Sequence, residues 1–197
     1  HLRHDVNHRQ VIPQIHDGLL GELQYTRAYF NVGGIWNRPR KEGMTEMQYQ
    51  VHNWYHFVWL SGDHIVEQHV HGIDVCNWLA QGHPVEAVGM GGRQVRAEPG
   101  IGEIFDHHAV QFTYANGVRS FSECRQIPGC WPSFTHHAHG SKGDASFEGN
   151  GAVTIRLKGR EPQRLKPGAD GHQLEWDDFI AALRARRPYN EVESAAD

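Results

Sequence analysis

The chain has 197 residues, enough for one domain of ordinary size with a real hydrophobic core. Its net charge of −4 at pH 7 and pI near 6.5 leave no concentrated basic surface of the kind nucleic acid requires. No apolar run approaches the roughly 18 residues of a membrane span, so neither nucleic acid nor membrane is expected as a partner.

The first residues, His1-Leu2-Arg3-His4-Asp5, carry no secretory signal and no initiating Met, and already read as the inside of an amphipathic helix. Residues 191–197 read as the first turn of another helix. Both ends predict a piece of a longer protein, and localisation stays open between cytoplasm and periplasm. In chain order, residues 4–16 read as a helix with Val6, Ile12 and Ile15 apolar, closed by Gly18. Residues 22–31 alternate and are rich in Tyr, Thr and Phe, which predicts a strand. An irregular stretch over 33–45 holds Trp36, Arg38, Pro39, Arg40 and Lys41; long loops inside domains are commonly functional. An aromatic stretch over 47–60 (Tyr49, Trp54, Tyr55, Phe57, Trp59) leads into a histidine-rich helix over 64–79. Strands follow over 85–90, then 103–114 and 118–125, a hairpin around Asn116-Gly117. Further strands are expected over 133–139, 145–148 and 152–158, and a helix over 173–184, where Arg184, Arg186 and Arg187 suit the negative end of the dipole. Helices, then antiparallel strands, then a helix predict an α+β fold: an open, mainly antiparallel sheet with helices packed on one face.

The stretch from Ser61 to Asp74 gathers His64, His69 and His71 with Asp63, Glu67 and Asp74. If 64–79 is one helix, His64, Glu67, His71 and Asp74 at i, i+3, i+7 and i+10 share a face. A carboxylate four residues from a histidine can hold its tautomer and raise its pKa, which suits general acid–base work on a hydroxyl or carbonyl. The bland reading is a solvated helix start with Asp63 as N-cap. A metal reading uses His64, Glu67, His69 and His71, although the spacing matches no standard zinc motif. His107-His108 and His136-His137-x-His139 could add ligands, but only one of each adjacent pair can face a given side of a sheet.

Other motifs carry less. Gly89-Met90-Gly91-Gly92 follows a predicted strand but is followed by a poor helix former, so it fails as a dinucleotide fingerprint. No G-x-S-x-G is present, and none of Lys41, Lys142, Lys158 or Lys166 has a setting that would activate it. Cys76, Cys124 and Cys130 form no paired framework and read as free, buried thiols. Trp54, Tyr55, Phe57 and Trp59 read mainly as core, with one or two left to line a cleft and stack on a sugar ring.

The run over 61–79 resembles the G-G-x3-D-x3-H-x2-D segment of the Gfo/Idh/MocA family (glucose–fructose oxidoreductase / inositol dehydrogenase), with Glu67 where Asp is usual, His71 at the catalytic histidine and Asp74 at the acid after it. Gly140-Ser141-Lys142-Gly143 resembles the family's strand connection, and the wording around 68–74 and 82–96 is similar to a subgroup common in environmental bacteria. The resemblance covers nearly the whole chain and implies the C-terminal domain of an NAD(P)-dependent oxidoreductase acting on a sugar, sugar derivative or cyclitol. In that reading NAD or NADP is bound mainly by a nucleotide-binding domain, carrying an E-K-P lysine, outside this sequence. His71 would deprotonate the substrate hydroxyl and Glu67 would orient it. Asp63, His64, Trp54, Arg38 and Asp74 would contact substrate, and the open sheet face would form a homo-oligomer. A metal-dependent lyase or hydrolase on a keto-sugar, and a non-catalytic dimerisation module, stand as alternatives.

Overall fold

The computed structural model describes residues 1–98 and 100–192. The expected helical turn over 191–197 therefore lies almost wholly outside the described residues. Helix α1 (Val6–His16) starts at Asp5, whose side chain accepts from the Asn7 and His8 amides, satisfying two donors that a helix start leaves free. Strand β1 (Leu23–Val32) follows. Short helices α2 (Glu46–His52), α3 (Val58–Ser61) and α4 (His64–Glu67) lead to α5 (Val70–Ala80). Strands β2 (Pro84–Gly92), β3 (His107–Tyr114), β4 (Arg119–Gln126), β5 (Ser133–Gly140), β6 (Gly143–Glu148), β7 (Val153–Leu157) and β8 (Gln163–Leu165) precede α6 (Gly171–Arg184).

All eight strands form one open sheet in the order β2-β3-β4-β1-β5-β6-β7-β8. Every pairing is antiparallel except β1 with β4, which is parallel. The expected α+β architecture is present. Val11, Ile12 and Ile15 of α1 and Val75 and Leu79 of α5 pack on Ala138, Ala145, Phe147, Val153 and Ile155 of the sheet. The opposite face, with Tyr25, Arg27, Tyr29, Phe121, His137 and His139, carries no helix among the described residues.

One row of the helix-covered face positions the histidine-rich segment. Val110, Ser122, Ala28, His136 and Phe147 are paired side by side across five strands. Gly72 sits above this row: a Cβ there would stand 3.2 Å from both Ala28 Cβ and His136 Nε2. A side chain at 72 would lift α5 off the sheet, so the glycine sets how closely the helix approaches.

The structure departs from the sequence expectation in several places. The histidine-rich helix is two helices, broken at Gln68 and His69, where the His69 amide donates to the His64 carbonyl one residue beyond helical spacing. Such a widened turn re-aims side chains. Residues 103–106 are irregular rather than part of β3, and β8 was not expected. Of the cysteines, Cys76 and Cys124 are buried as expected, but Cys130 is exposed. Of the aromatic stretch, Tyr55 and Phe57 belong to the interior, whereas Trp54 and Trp59 are exposed.

Candidate active site

The break at Gln68 and His69 separates the four residues that a continuous helix would have aligned. His64 turns inward and is 1% exposed. Glu67 is half-buried; burial raises its pKa, and the neighbouring Tyr55 hydroxyl only partly opposes that. His71 lies in the first turn of α5, half-buried, with the His1 ring edge-on at 4.6 Å. Burial is the main cause that lowers the His71 pKa. Asp74, the Glu175 carboxylate of α6 and the His172 ring also act on its charge. The stacked rings of His1 and His172, 4.1 Å apart, border a cavity of about 350 Å³ that Asp5, Phe134 and the Gly149 and Gly151 turn also line.

Asp74 was expected to contact substrate, but its carboxylate receives Arg3 Nη2 at 2.7 Å and Nε at 2.9 and 3.1 Å. That paired geometry ties α5 to the start of the chain. Asp63 and His64, also expected to contact substrate, are buried at 8% and 1% exposure. Trp54 and Arg38 do lie at the surface. The Arg38 guanidinium stands 4.2 Å over the Trp36 ring, its Nη1 donates to the His52 carbonyl at 2.7 Å, and the Trp36 and Trp54 rings are 6.1 Å apart. Tyr55 packs against both indoles and reaches Glu67 on its other side. Contacts thus run from Arg38 through Trp36 and Trp54 at the surface to the buried Tyr55 and on to Glu67.

Below that patch a polar network fixes the helix break. The Tyr55 hydroxyl donates to Gln68 Oε1 at 2.7 Å. Gln126 Nε2 donates to the Tyr55 hydroxyl at 2.8 Å, and Gln126 Oε1 accepts from the buried Arg96. Asp106 accepts from the Gln94 and Val95 amides at 2.6 Å each and pairs with His107. Burial works against its charge, but these donors hold its pKa down to about 2. None of Arg96, Asp106 or Gln126 was singled out from sequence; only their burial in the folded chain marks them.

The alternative metal set weighed from sequence (His64, Glu67, His69, His71) is not among the groups of ligand atoms that converge in the described residues. His69 gives its Nε2 to Ser122 Oγ at 2.7 Å, its Nδ1 is buried without a partner, and burial drives its pKa down to about 3. Among the described residues two groups do converge: Asp63, His64 and His108, which are buried or half-buried, and His4, Glu175 and Glu191, of which Glu191 is exposed. As strand alternation requires, His108 and His136 face the helices while His107, His137 and His139 face the other side.

No phosphate cradle forms at Gly89, Gly91 and Gly92. They lie in edge strand β2, and a Cβ on Gly89 would meet Val110 at 2.8 Å and one on Gly91 the His107 carbonyl at 2.7 Å. Sheet pairing accounts for these glycines, and the dinucleotide-binding part of an NAD(P) site does not fit them.

A family model for the GFO/IDH/MocA C-terminal domain matches residues 8–146. Among solved structures, the fold is similar to an aldose–aldose oxidoreductase from Caulobacter crescentus complexed with glycerol, at TM-score 0.70 and 17% identity, covering 94% of this chain and 52% of that one. It is also similar to a 3-ketoreductase from Actinomadura kijaniata in complex with NADP and TDP-benzene, at TM-score 0.71 and 16% identity, covering 98% of this chain and 56% of that one. The chain therefore spans about half the length of these structures, and at such identities the likeness is one of fold. A comparison with curated proteins found no match.

Proposed function

This chain belongs to the Gfo/Idh/MocA family, and from that premise we propose that it is the substrate-binding and catalytic domain of an NAD(P)-dependent oxidoreductase acting on a hydroxyl of a sugar, sugar derivative or cyclitol. The observation that carries the reading is the placement of His71 within the matched domain: a half-buried imidazole in the first turn of α5, with its pKa lowered by burial. At neutral pH such a ring is uncharged and ready to take a proton. Its role is to accept the proton of the substrate hydroxyl. Glu67, held beside Tyr55, orients the segment and offers a hydrogen-bond acceptor to the sugar. Trp36 and Trp54 supply flat apolar surface for a sugar ring, and Arg38 supplies donors at its edge. NAD or NADP, held by a nucleotide-binding domain outside this sequence, supplies hydride acceptance. The 3-ketoreductase crystallised with NADP and the aldose–aldose oxidoreductase complexed with glycerol support this choice of chemistry.

The open sheet face is the proposed self-association surface. Val88 and Met90 of β2 are 64% and 77% exposed and Trp131 is 60% exposed, and an uncovered apolar face of this kind marks an interface.

The test uses the complete enzyme with a panel of sugars and cyclitols, following reduction of NAD and NADP. His71→Ala should lower turnover by about 10²- to 10⁴-fold, and the acid limb of kcat/KM in the parent enzyme should fall below pH 6.5 because the His71 pKa is depressed. A loss under about threefold would remove His71 from the proton transfer.

A further inference from the structure

We propose that Asp63, His64 and His108 form a binding site for one divalent transition-metal ion of the Zn²⁺ class, fastening helix α4 to strand β3. Asp63 and His64 are neighbours in the chain and His108 lies 44 positions on, and each offers one ligand atom, all within 4.8 Å of one another. Asp63 Oδ1 lies 3.3 Å from His108 Nε2 and 3.8 Å from His64 Nε2. Atoms bound at 2.0–2.1 Å to a tetrahedral ion stand about 3.3 Å from each other; the Asp63–His108 pair already has that spacing and the His64–Asp63 pair closes in by about 0.5 Å on binding.

Three further observations point to a ligand. First, Nε2 of His64 is buried with no hydrogen-bond partner, and the residue is 1% exposed. A buried imidazole nitrogen with nothing to bond is costly; His108 Nε2, 3.3 Å from Asp63 Oδ1, has that carboxylate as its one neighbour of opposite charge. Second, the carboxylate is anchored from behind. Asp63 Oδ2 accepts from the Phe105 amide at 2.8 Å and Oδ1 from the His64 amide at 2.5 Å, the sort of supporting contact that orients a metal ligand. Third, Asp63 holds φ at +74°, a strained backbone for a residue with a side chain, and strain of this kind persists where the surroundings demand one side-chain position. Two imidazoles and one carboxylate form the donor set of zinc and other borderline divalent metals rather than of Ca²⁺ or Mg²⁺. The Arg96 guanidinium is the adverse charge in the neighbourhood, and buried Asp106 offsets it.

The ion would clamp the turn from Ser61 to His69, which carries Glu67 and sets the start of α5. The site stands apart from the proposed proton transfer at His71, so either can fail without the other.

The experiment takes the complete protein, strips it with a chelator and titrates it with Co²⁺ and Zn²⁺ alone. One equivalent of Co²⁺ with visible ligand-field bands is expected, displaced by Zn²⁺ and accompanied by a higher Tm. His64→Gln and His108→Gln should each weaken binding at least about tenfold, while His137→Gln and His139→Gln on the uncovered face leave it unchanged. Should the His64 variant fail to fold, X-ray absorption of the Zn²⁺-loaded parent protein decides the matter: two imidazoles with oxygen donors support the site. No stoichiometric metal, a thiolate shell, or binding that survives both substitutions would overturn it.

Discussion

At the scale of single residues, Gly72 makes the sharpest demand. The Cβ of an alanine there would stand 3.2 Å from Ala28 Cβ and from His136 Nε2, and both neighbours are 0% exposed, so neither has free space to give. Gly72→Ala would gain helix propensity, about 1 kcal/mol at most, against an overpacking cost of about 1–3 kcal/mol. We expect a net loss of stability, read as a lower urea midpoint at unchanged m; a midpoint equal to or above that of the parent would show that α5 can lift freely. At this scale the sequence was partly legible. Strand alternation correctly separated His108 from His107 and His136 from its neighbours. It could not reveal that His64 and His108, 44 positions apart, face one carboxylate, because that meeting depends on how α4 settles on β3. Nor could it show that Asp74 is spent on Arg3.

At the scale of elements, the helix break explains why a face drawn on a continuous helix misplaced its members. The apolar spacing runs unbroken through Gln68 and His69, so periodicity gives no warning. What breaks the helix is tertiary: Gln68 is drawn into the Tyr55, Gln126 and Arg96 network. The hairpin at Asn116-Gly117, by contrast, was legible because its turn chemistry is local, whereas the parallel β1–β4 pair is a long-range choice with no local mark. The network carries its own prediction. Gln126→Leu keeps the volume but leaves Arg96 Nη2 buried without its acceptor and the Tyr55 hydroxyl without its donor. Stability should fall by about 2–3 kcal/mol, measured by denaturant unfolding. A well-folded, equally stable variant would show that the break has another cause.

At the scale of the whole molecule, the density of buried histidine sets the behaviour in acid. His136 is fully buried with neither nitrogen hydrogen-bonded, and burial lowers its pKa well below 6.5. His69, 1% exposed, is lowered by burial to about 3. In the unfolded chain both return to an ordinary value near 6.5. Below that pH the unfolded state therefore takes up protons that the folded state refuses, so stability falls as pH falls, and above it these two groups contribute no slope. Each such histidine costs roughly 1.4 kcal/mol per pH unit, so the pair removes about 3 kcal/mol one unit below the transition, a large share of the ~5–15 kcal/mol typical of a domain. The carboxylate of Asp106 acts in the same direction only at lower pH, since it keeps its charge down to about 2, whereas Glu67, its pKa raised by burial, acts in the opposite sense. Unfolding midpoints should hence be level from pH 8 to 7 and drop steeply between pH 6.5 and 5. His136→Leu removes an imidazole that bonds to nothing, so it should flatten this slope by about one proton without loss of stability at pH 8. An unchanged slope in that variant would mean that the ring at 136 finds a proton partner on the way to unfolding, and that the sheet beneath α5 opens to water before the domain melts.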